Sequence, residues 1–143
     1  MQTPYELLGG EAGVRQLADV FYDVMDEMPQ AESIRKMHQA SLTDVKQKLF
    51  EYLSGWMGGQ PHYETKYGTV CLTKPHQPFR IGPAERDQWL QCMDEALRRV
   101  NASDEVKDML KIPMYMLADT VRNNDGNTCS TDNLIATDAG CAH

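Results

Sequence analysis

The stretch His76-Gln-Pro-Phe-Arg-Ile-Gly-Pro-Ala-Glu-Arg-Asp-Gln-Trp89 decides the fold that we predict for this chain. Prolines stand close to His76 on both sides, so the backbone of this histidine has little freedom. Phe79 and Ile81 occupy alternate positions, which makes one side of the turn apolar. A Gly-Pro pair then opens a helix that carries Trp89. This arrangement can present one imidazole nitrogen into a dry pocket and an indole N–H across it.

Helical periodicity dominates the rest of the chain, and no segment alternates cleanly enough to predict a strand. Thr3, Pro4 and Glu6 have the pattern of an N-cap, a first-turn proline and a capping box. The sequence therefore predicts an all-α fold. Its helices are expected from Pro4 to Gly9-Gly10, from Gly10 to Met28, from Glu32 to Met37, from a cap at Ser41 to Gly58-Gly59, from Pro83 to Val100, and from Ser103 to Val121 with a kink at Pro113.

Two segments break this periodicity. From Gln60 to Pro75 the pattern dissolves, which predicts a long and largely irregular connection before the histidine. A loop of that length inside a compact domain is usually functional, and wrapping a bound cofactor would explain it. After Asn123 the composition turns polar, so we expect a flexible tail over residues 123–143 and a single folded domain over residues 1–122.

Composition excludes several classes of function. The chain has 143 residues, enough for one domain with a real core, and a net charge of -7. No basic stretch offsets that charge, which argues against nucleic-acid and membrane-surface partners. No apolar run has the length of a membrane-spanning helix, and the N-terminus lacks the features of a signal peptide. We therefore expect a cytoplasmic protein.

The four cysteines form no Cys-x-x-Cys pair. Cys129, Cys141 and His143 could be drawn into a metal site, but their spacing matches no strong template. In a cytoplasmic protein we expect all four cysteines, including Cys71 and Cys92, to be reduced thiols.

Several motifs together resemble the group II truncated haemoglobins, in register from about Thr3 to Val121. They are the paired glycines after the first and fourth helices, the pair Phe21-Tyr22, the His-x-Pro-Phe-x-Ile run beginning at His76, and the block from Glu85 to Met93. Members of this family bind haem between four main helices arranged as two crossed pairs. The resemblance thus implies a 2-on-2 helical sandwich with haem b as its cofactor.

The resemblance also assigns roles to individual residues. His76 corresponds to the proximal ligand of the haem iron, and the family's distal hydrogen-bond donors correspond to Tyr22 and Trp89. Val45 falls where animal globins carry a distal histidine, and it cannot donate a hydrogen bond. Lys48 and Arg80 are expected to meet the anionic haem propionates. The other contacts to the cofactor, including the apolar walls of its pocket, are expected from Phe21, Leu49, Tyr52, Leu53, Tyr63, Phe79, Ile81 and Met93.

His38 departs from many truncated haemoglobins, which place a phenylalanine or tyrosine at this turn. It can serve as a third distal donor paired with Tyr22. It can instead be a sixth ligand of the iron when no gas is bound, or an exposed histidine at the end of a short helix. The sequence leaves these three readings open.

The function implied by the resemblance is reversible binding of oxygen, carbon monoxide and nitric oxide at a five-coordinate haem iron. Slow oxygen release suits ligand chemistry or sensing better than bulk oxygen transport. Two enzymatic alternatives remain open: nitric oxide dioxygenation, and a peroxidase-like activity beside oxidisable Tyr22 and Trp89. Either one would need an external reductase or other electron donor. An alternative of a different class is a haem-free helical interaction module.

Overall fold

A computed structural model describes residues 2–68, 76 and 79–122 of the chain. Within these ranges every regular element is helical, which confirms the all-α prediction. None of the described helices is long and apolar enough to cross a membrane. The helices are α1 (Pro4–Leu7), α2 (Gly10–Glu27), α3 (Glu32–Arg35), which follows a 3-10 turn at Pro29–Ala31, α4 (Thr43–Trp56), α5 (His62–Tyr67), α6 (Pro83–Arg99) and α7 (Asp104–Thr120).

The beginning of the chain folds as its local signals predict. The hydroxyl of Thr3 accepts the N–H of Glu6 at 3.2 Å, and the Glu6 carboxylate accepts the N–H of Thr3 at 3.0 Å, which completes the capping box. Gly9 then adopts a φ of 103° in the turn between α1 and α2. Residues with a side chain rarely adopt this left-handed conformation, so the glycine allows the chain to reverse here.

α2 occupies the centre of the fold because it packs against both α4 and α6. α6 packs in turn against α7, so the pair α2 and α4 lies against the pair α6 and α7 as the predicted 2-on-2 sandwich. The core between the pairs contains side chains that are completely or almost completely buried: Val14, Leu17, Phe21, Met25, Leu53, Met57, Met93 and Val106. Phe21 at this centre fixes the position of its neighbour Tyr22.

The prediction of an irregular connection from Gln60 to Pro75 is wrong for residues 62–67, which form α5. Pro61 precedes this helix and Gly68, with a φ of 80°, ends it. α5 packs against α4, so it extends the ordered framework up to residue 68. Residues 69–75 and the predicted tail lie outside the described residues.

The expectation about the start of the fourth helix needs adjustment. α4 begins with Leu42, not Ser41, at its N-cap position, although the Ser41 hydroxyl still accepts the N–H of Thr43 at 3.4 Å. Pro113 lies inside α7, which continues through it, and the kink stays a prediction. The most deeply buried large side chains of α7 are Val106, Leu110 and Met114.

Candidate functional site

Four aromatic side chains make a continuous series of contacts across the end of α2. The ring of Phe21 lies edge-on to Tyr22, with centroids 4.9 Å apart, and 5.1 Å from the Trp89 ring on α6. Tyr22 also lies edge-on to His38, at 5.4 Å. Tyr22 and His38 are therefore in direct contact, and Trp89 is connected to them through Phe21.

Tyr22 carries a phenol hydroxyl near the centre of this aromatic series. Only 8% of the residue is exposed, and none of the hydrogen bonds between described residues involves its hydroxyl. Burial raises the pKa of this phenol far above its usual value. The hydroxyl consequently remains protonated at any physiological pH and can donate a hydrogen bond to a ligand beside it.

The tautomer of His38 follows from a single contact. Its Nδ1 lies 2.8 Å from the carbonyl oxygen of Ile34, one helical turn earlier. A carbonyl can only accept, so Nδ1 carries the proton and Nε2 of the neutral ring keeps a free lone pair. Burial, followed by the charges of Arg35 and His76, outweighs the effect of this bond and lowers the pKa of His38. In this tautomer Nε2 of His38 can accept a hydrogen bond or bind a metal, and the reading of His38 as a third donor would need the protonated ring.

Arg35 holds the segment that carries His38. Its guanidinium donates to the carboxylate of Asp26 at 2.8 Å and to the carbonyl oxygens of Gln39 and Ala40 at 2.9 and 3.0 Å. These contacts tie both sides of the histidine to the end of α2. His38 therefore lies on a braced turn, and the third reading, an exposed histidine, is wrong because the residue is half-buried.

His76 is half-buried and helical, and its carbonyl oxygen accepts the N–H of Phe79 at 3.0 Å. Its charge contributes to the lowered pKa of His38, so the two imidazoles lie within electrostatic range of each other. Imidazole nitrogens are common ligands of haem iron, so two histidines close enough to affect each other's charge suit a haem site.

α4 contributes two apolar faces to this region. Phe50, Leu53 and Met57 are buried in the core, whereas Leu42, Val45, Leu49 and Trp56 pack against the core but remain only half-buried. Leucine, valine and tryptophan recur here at helical spacing, at Leu42, Val45, Leu49, Leu53 and Trp56, and only Leu53 of these is fully enclosed by protein. The half-buried face, with Tyr52 beside it, is apolar surface that a flat hydrophobic cofactor can cover.

The remaining predicted cofactor contacts divide into two groups. Phe21, Leu53, Met93 and Ile81 are buried by the protein's own side chains, so in this conformation they back the pocket. Phe79 and Arg80 are exposed, and the Lys48 ammonium lies 5.8 Å from the centroid of the Tyr67 ring. Both cations are thus accessible at the rim, where anionic propionates would lie.

Sequence reasoning missed a buried carboxylate on α4. Glu51 is only 5% exposed, and its oxygens accept hydrogen bonds from Gln47 and Lys66 at 3.2 Å and from the Tyr67 hydroxyl at 3.3 Å. It joins α4 to α5. The signal available in the sequence was the position of this acidic residue directly after Phe50, a core residue of α4.

The structure tests only one of the four cysteines. Cys92 is a free thiol, completely buried on α6, and burial raises its pKa to about 11. The other three cysteines and the proposed Cys129, Cys141 and His143 grouping lie outside the described residues. Within the described ranges, no three His, Cys, Asp or Glu residues cluster as a metal site.

Comparison with known proteins agrees with this geometry. The bacterial-like globin family matches residues 3–123. A group 2 truncated haemoglobin of Bacillus subtilis is 32% identical over 108 residues, which span 76% of this chain and 79% of that protein. The cold-adapted truncated haemoglobin of Pseudoalteromonas haloplanktis superimposes with a TM-score of 0.82 at 39% identity, covering 86% of this chain and 99% of its own. The group II 2-on-2 haemoglobin of Agrobacterium tumefaciens gives 0.81 at 37% identity, covering 86% and 95%.

Proposed function

Because the chain belongs to the bacterial-like globin family, among the group II truncated haemoglobins, we propose that it holds haem b through His76 and binds oxygen reversibly. Haem supplies the iron on which a diatomic gas binds. The observation that carries the proposal is the position of Tyr22, a residue only 8% exposed whose ring lies edge-on to His38 at 5.4 Å and to Phe21 at 4.9 Å. Its phenol is a hydrogen-bond donor at the place where the family resemblance puts the bound ligand.

In this proposal the distal residues divide their work by chemistry. Tyr22 and Trp89 donate, since a protonated phenol and an indole N–H have no other role at this place. Each would slow the escape of a partly negative ligand such as oxygen, by about tenfold for every 1.4 kcal/mol of hydrogen-bond energy. Carbon monoxide carries less charge and would gain less.

His38 has a different part, because its neutral Nε2 can only accept. When a gas is absent it would stay uncoordinated beside Tyr22, or it would take the sixth position on iron. The resting iron would be five-coordinate in the first case and six-coordinate in the second. The absorption spectrum of the ferrous protein distinguishes them, and His38→Ala removes any six-coordinate signal.

Cofactor retention rests on the residues around the ring. Leu49, Tyr52 and Tyr63 would cover its apolar faces together with Phe79, while Lys48 and Arg80 would meet the propionates as charge-assisted donors. Phe21, Leu53, Ile81 and Met93 support these contacts from behind.

The test of the axial ligand is haem uptake by the apoprotein, followed by its Soret absorption. We expect His76→Leu to lose haem to a competing apoglobin much faster than the parent protein. The matched control is His62→Gln, which removes a histidine on α5 that pairs with Glu11 at 3.2 Å. Equal haem retention in the parent and His76→Leu would reject His76 as the ligand.

The test of the distal assignment is the oxygen off-rate, measured by stopped-flow displacement with carbon monoxide. Tyr22→Phe and Trp89→Phe should each release oxygen faster, whereas Tyr115→Phe, a substitution at an exposed tyrosine of α7, should not. Unchanged rates in both distal variants would refute the assignment.

A second candidate function is peroxidase-like turnover with an external electron donor in the cytoplasm. It is favoured by the oxidisable rings of Tyr22 and Trp89, both of which contact Phe21. Mixing the oxygenated protein with nitric oxide, and the ferric protein with peroxide, ranks this activity against nitric oxide dioxygenation.

A further inference from the structure

A small cavity lies between α4 and α5, and three aromatic side chains line it. Tyr52 and Trp56 line it from α4, one helical turn apart, and Tyr63 lines it from α5. The rings of Tyr52 and Tyr63 meet edge-on, with an interplanar angle of 85° and centroids 5.8 Å apart. The cavity has a volume of about 190 Å³, below the roughly 300–1,000 Å³ of pockets for drug-sized ligands, so it suits a small molecule.

Packing between the end of α4 and the start of α5 holds these rings in place. The hydroxyl of Ser54, which is completely buried, donates to the carbonyl oxygen of Gln60 at 2.8 Å. Gly55 lies so close to Pro61 that a Cβ atom at the glycine would stand 3.0 Å from the proline Cα. The cavity is therefore formed before any ligand arrives, which reduces the entropy cost of binding.

Among the described residues, no lysine or arginine lies over the three rings that line the cavity. Lys48 and Lys66 lie instead over the ring of Tyr67, 5.8 and 5.4 Å from its centroid, and Lys66 is paired with Glu51. The face of an aromatic ring is negative and attracts cations. The three lining rings can therefore attract a cation from solution.

One carboxylate completes the lining of the cavity. Glu64 is exposed on α5, and none of the hydrogen bonds or ion pairs between described residues involves its side chain. A carboxylate beside aromatic rings favours a cation over an anion or a neutral molecule. A metal ion would need several oxygen ligands. A quaternary ammonium ion fits aromatic faces instead, because its methyl groups are apolar and its charge is spread over them.

We propose that this cavity binds a small organic cation of the quaternary ammonium class. Tyr52, Trp56 and Tyr63 would surround its methyl groups, and Glu64 would lie beside its charge. The inference goes beyond oxygen binding and does not need haem. Tyr52 and Tyr63 are also predicted cofactor contacts, whereas the other four lining residues are not, so these two rings would separate the cation from the haem.

The experiment is a saturation-transfer NMR titration of the full-length protein with choline. The neutral counterpart of choline is 3,3-dimethylbutan-1-ol, which has the same shape but carries carbon in place of the charged nitrogen. We expect choline to bind at least about fivefold more tightly, equivalent to about 1 kcal/mol, because cation–π attraction adds to the apolar contacts. Equal affinity for the two compounds overturns cation recognition, and so does the absence of saturable choline binding.

Three variants test the placement of the cation. Glu64→Gln should weaken choline binding about two- to fivefold and leave the neutral alcohol unaffected. Trp56→Leu should remove the preference for choline, and circular dichroism checks that this variant folds. Glu105→Gln is the matched control, because it removes another exposed carboxylate, on α7. Unchanged choline affinity in Glu64→Gln, which alters only an exposed side chain, overturns the site even if Trp56→Leu fails to fold.

A choline group can be free or part of a phospholipid, and we expect the free cation. In a phosphatidylcholine headgroup the phosphate would bring a negative charge close to Glu64, which opposes binding. Sedimentation with phosphatidylcholine vesicles distinguishes the two sources. The protein should remain in the supernatant, whereas pelleting with the vesicles overturns the proposal in favour of a lipid.

Discussion

Replacing Tyr22 by phenylalanine should change two properties in opposite directions. The substitution keeps a ring against Phe21 and His38, at 4.9 and 5.4 Å, and removes only the hydroxyl. In the apoprotein that hydroxyl is nearly buried and has no partner among the described residues. A buried polar group without a partner costs about 1–3 kcal/mol, and the remaining 8% exposure puts Tyr22 at the lower end of that range.

We therefore expect apo Tyr22→Phe to be about 1 kcal/mol more stable than the parent protein, a rise of about 3–5 °C in Tm. The oxygenated protein should meanwhile lose one hydrogen bond to a partly charged ligand, which costs about 1.5–3 kcal/mol and raises the off-rate by roughly ten- to a hundredfold. Scanning calorimetry of the apoprotein and stopped-flow of the oxygenated protein measure the two effects. Apoprotein destabilised by more than about 1 kcal/mol would mean that the hydroxyl has a structural partner, and the reasoning would fail.

Three further predictions concern the framework around the site. The pKa of His38 is lowered from 6.5 in the folded protein, so as the pH falls the unfolded chain binds this proton before the folded chain does. The stability of the apoprotein, measured by urea unfolding, should therefore decrease as the pH falls below 6.5. The decrease should be smaller in His38→Gln. Glu51→Ala removes the carboxylate that joins α4 to α5 and should lower the free energy of unfolding in urea by about 1–3 kcal/mol. Lys66→Ala, at the exposed partner, should lower it less. Cys92, with its pKa of about 11, should react with a thiol reagent only at the rate of unfolding; rapid labelling of the native protein would contradict its burial.

The parts of the fold that local signals control were predictable from the sequence. The capping box at Thr3 acts between neighbours in the chain, and the end of α2 at Met28 follows from the proline after it. α5 was missed because six residues are too few to show a helical period, although Gly68 gave a stop signal.

Register with a family predicts that Tyr22, His38 and Trp89 share one pocket. The structure shows that Tyr22 contacts His38 and that Phe21 contacts both Tyr22 and Trp89, while the roles of these residues stay predictions. The protonation of His38 depends on a backbone carbonyl at Ile34, which no pattern of side chains reveals. α4 has two apolar faces of similar hydropathy. The face with Phe50 is buried in the core, whereas the face with Val45 is only half-buried, and periodicity alone cannot distinguish them.

The brace at Arg35 has a consequence for the motion of the distal pocket. The guanidinium of Arg35 bonds to Asp26, Gln39 and Ala40, so the turn that carries His38 becomes ordered when the chain folds. The entropy cost of ordering this turn is therefore not paid when a gas binds, and it does not reduce the affinity for the gas. Lysine at this position would retain the charge but could not reach three acceptors in a fixed plane. Relaxation-dispersion NMR of Arg35→Lys should then show the imidazole exchanging between positions on the microsecond-to-millisecond scale. A residue that meets no ligand would in this way set how often the pocket opens.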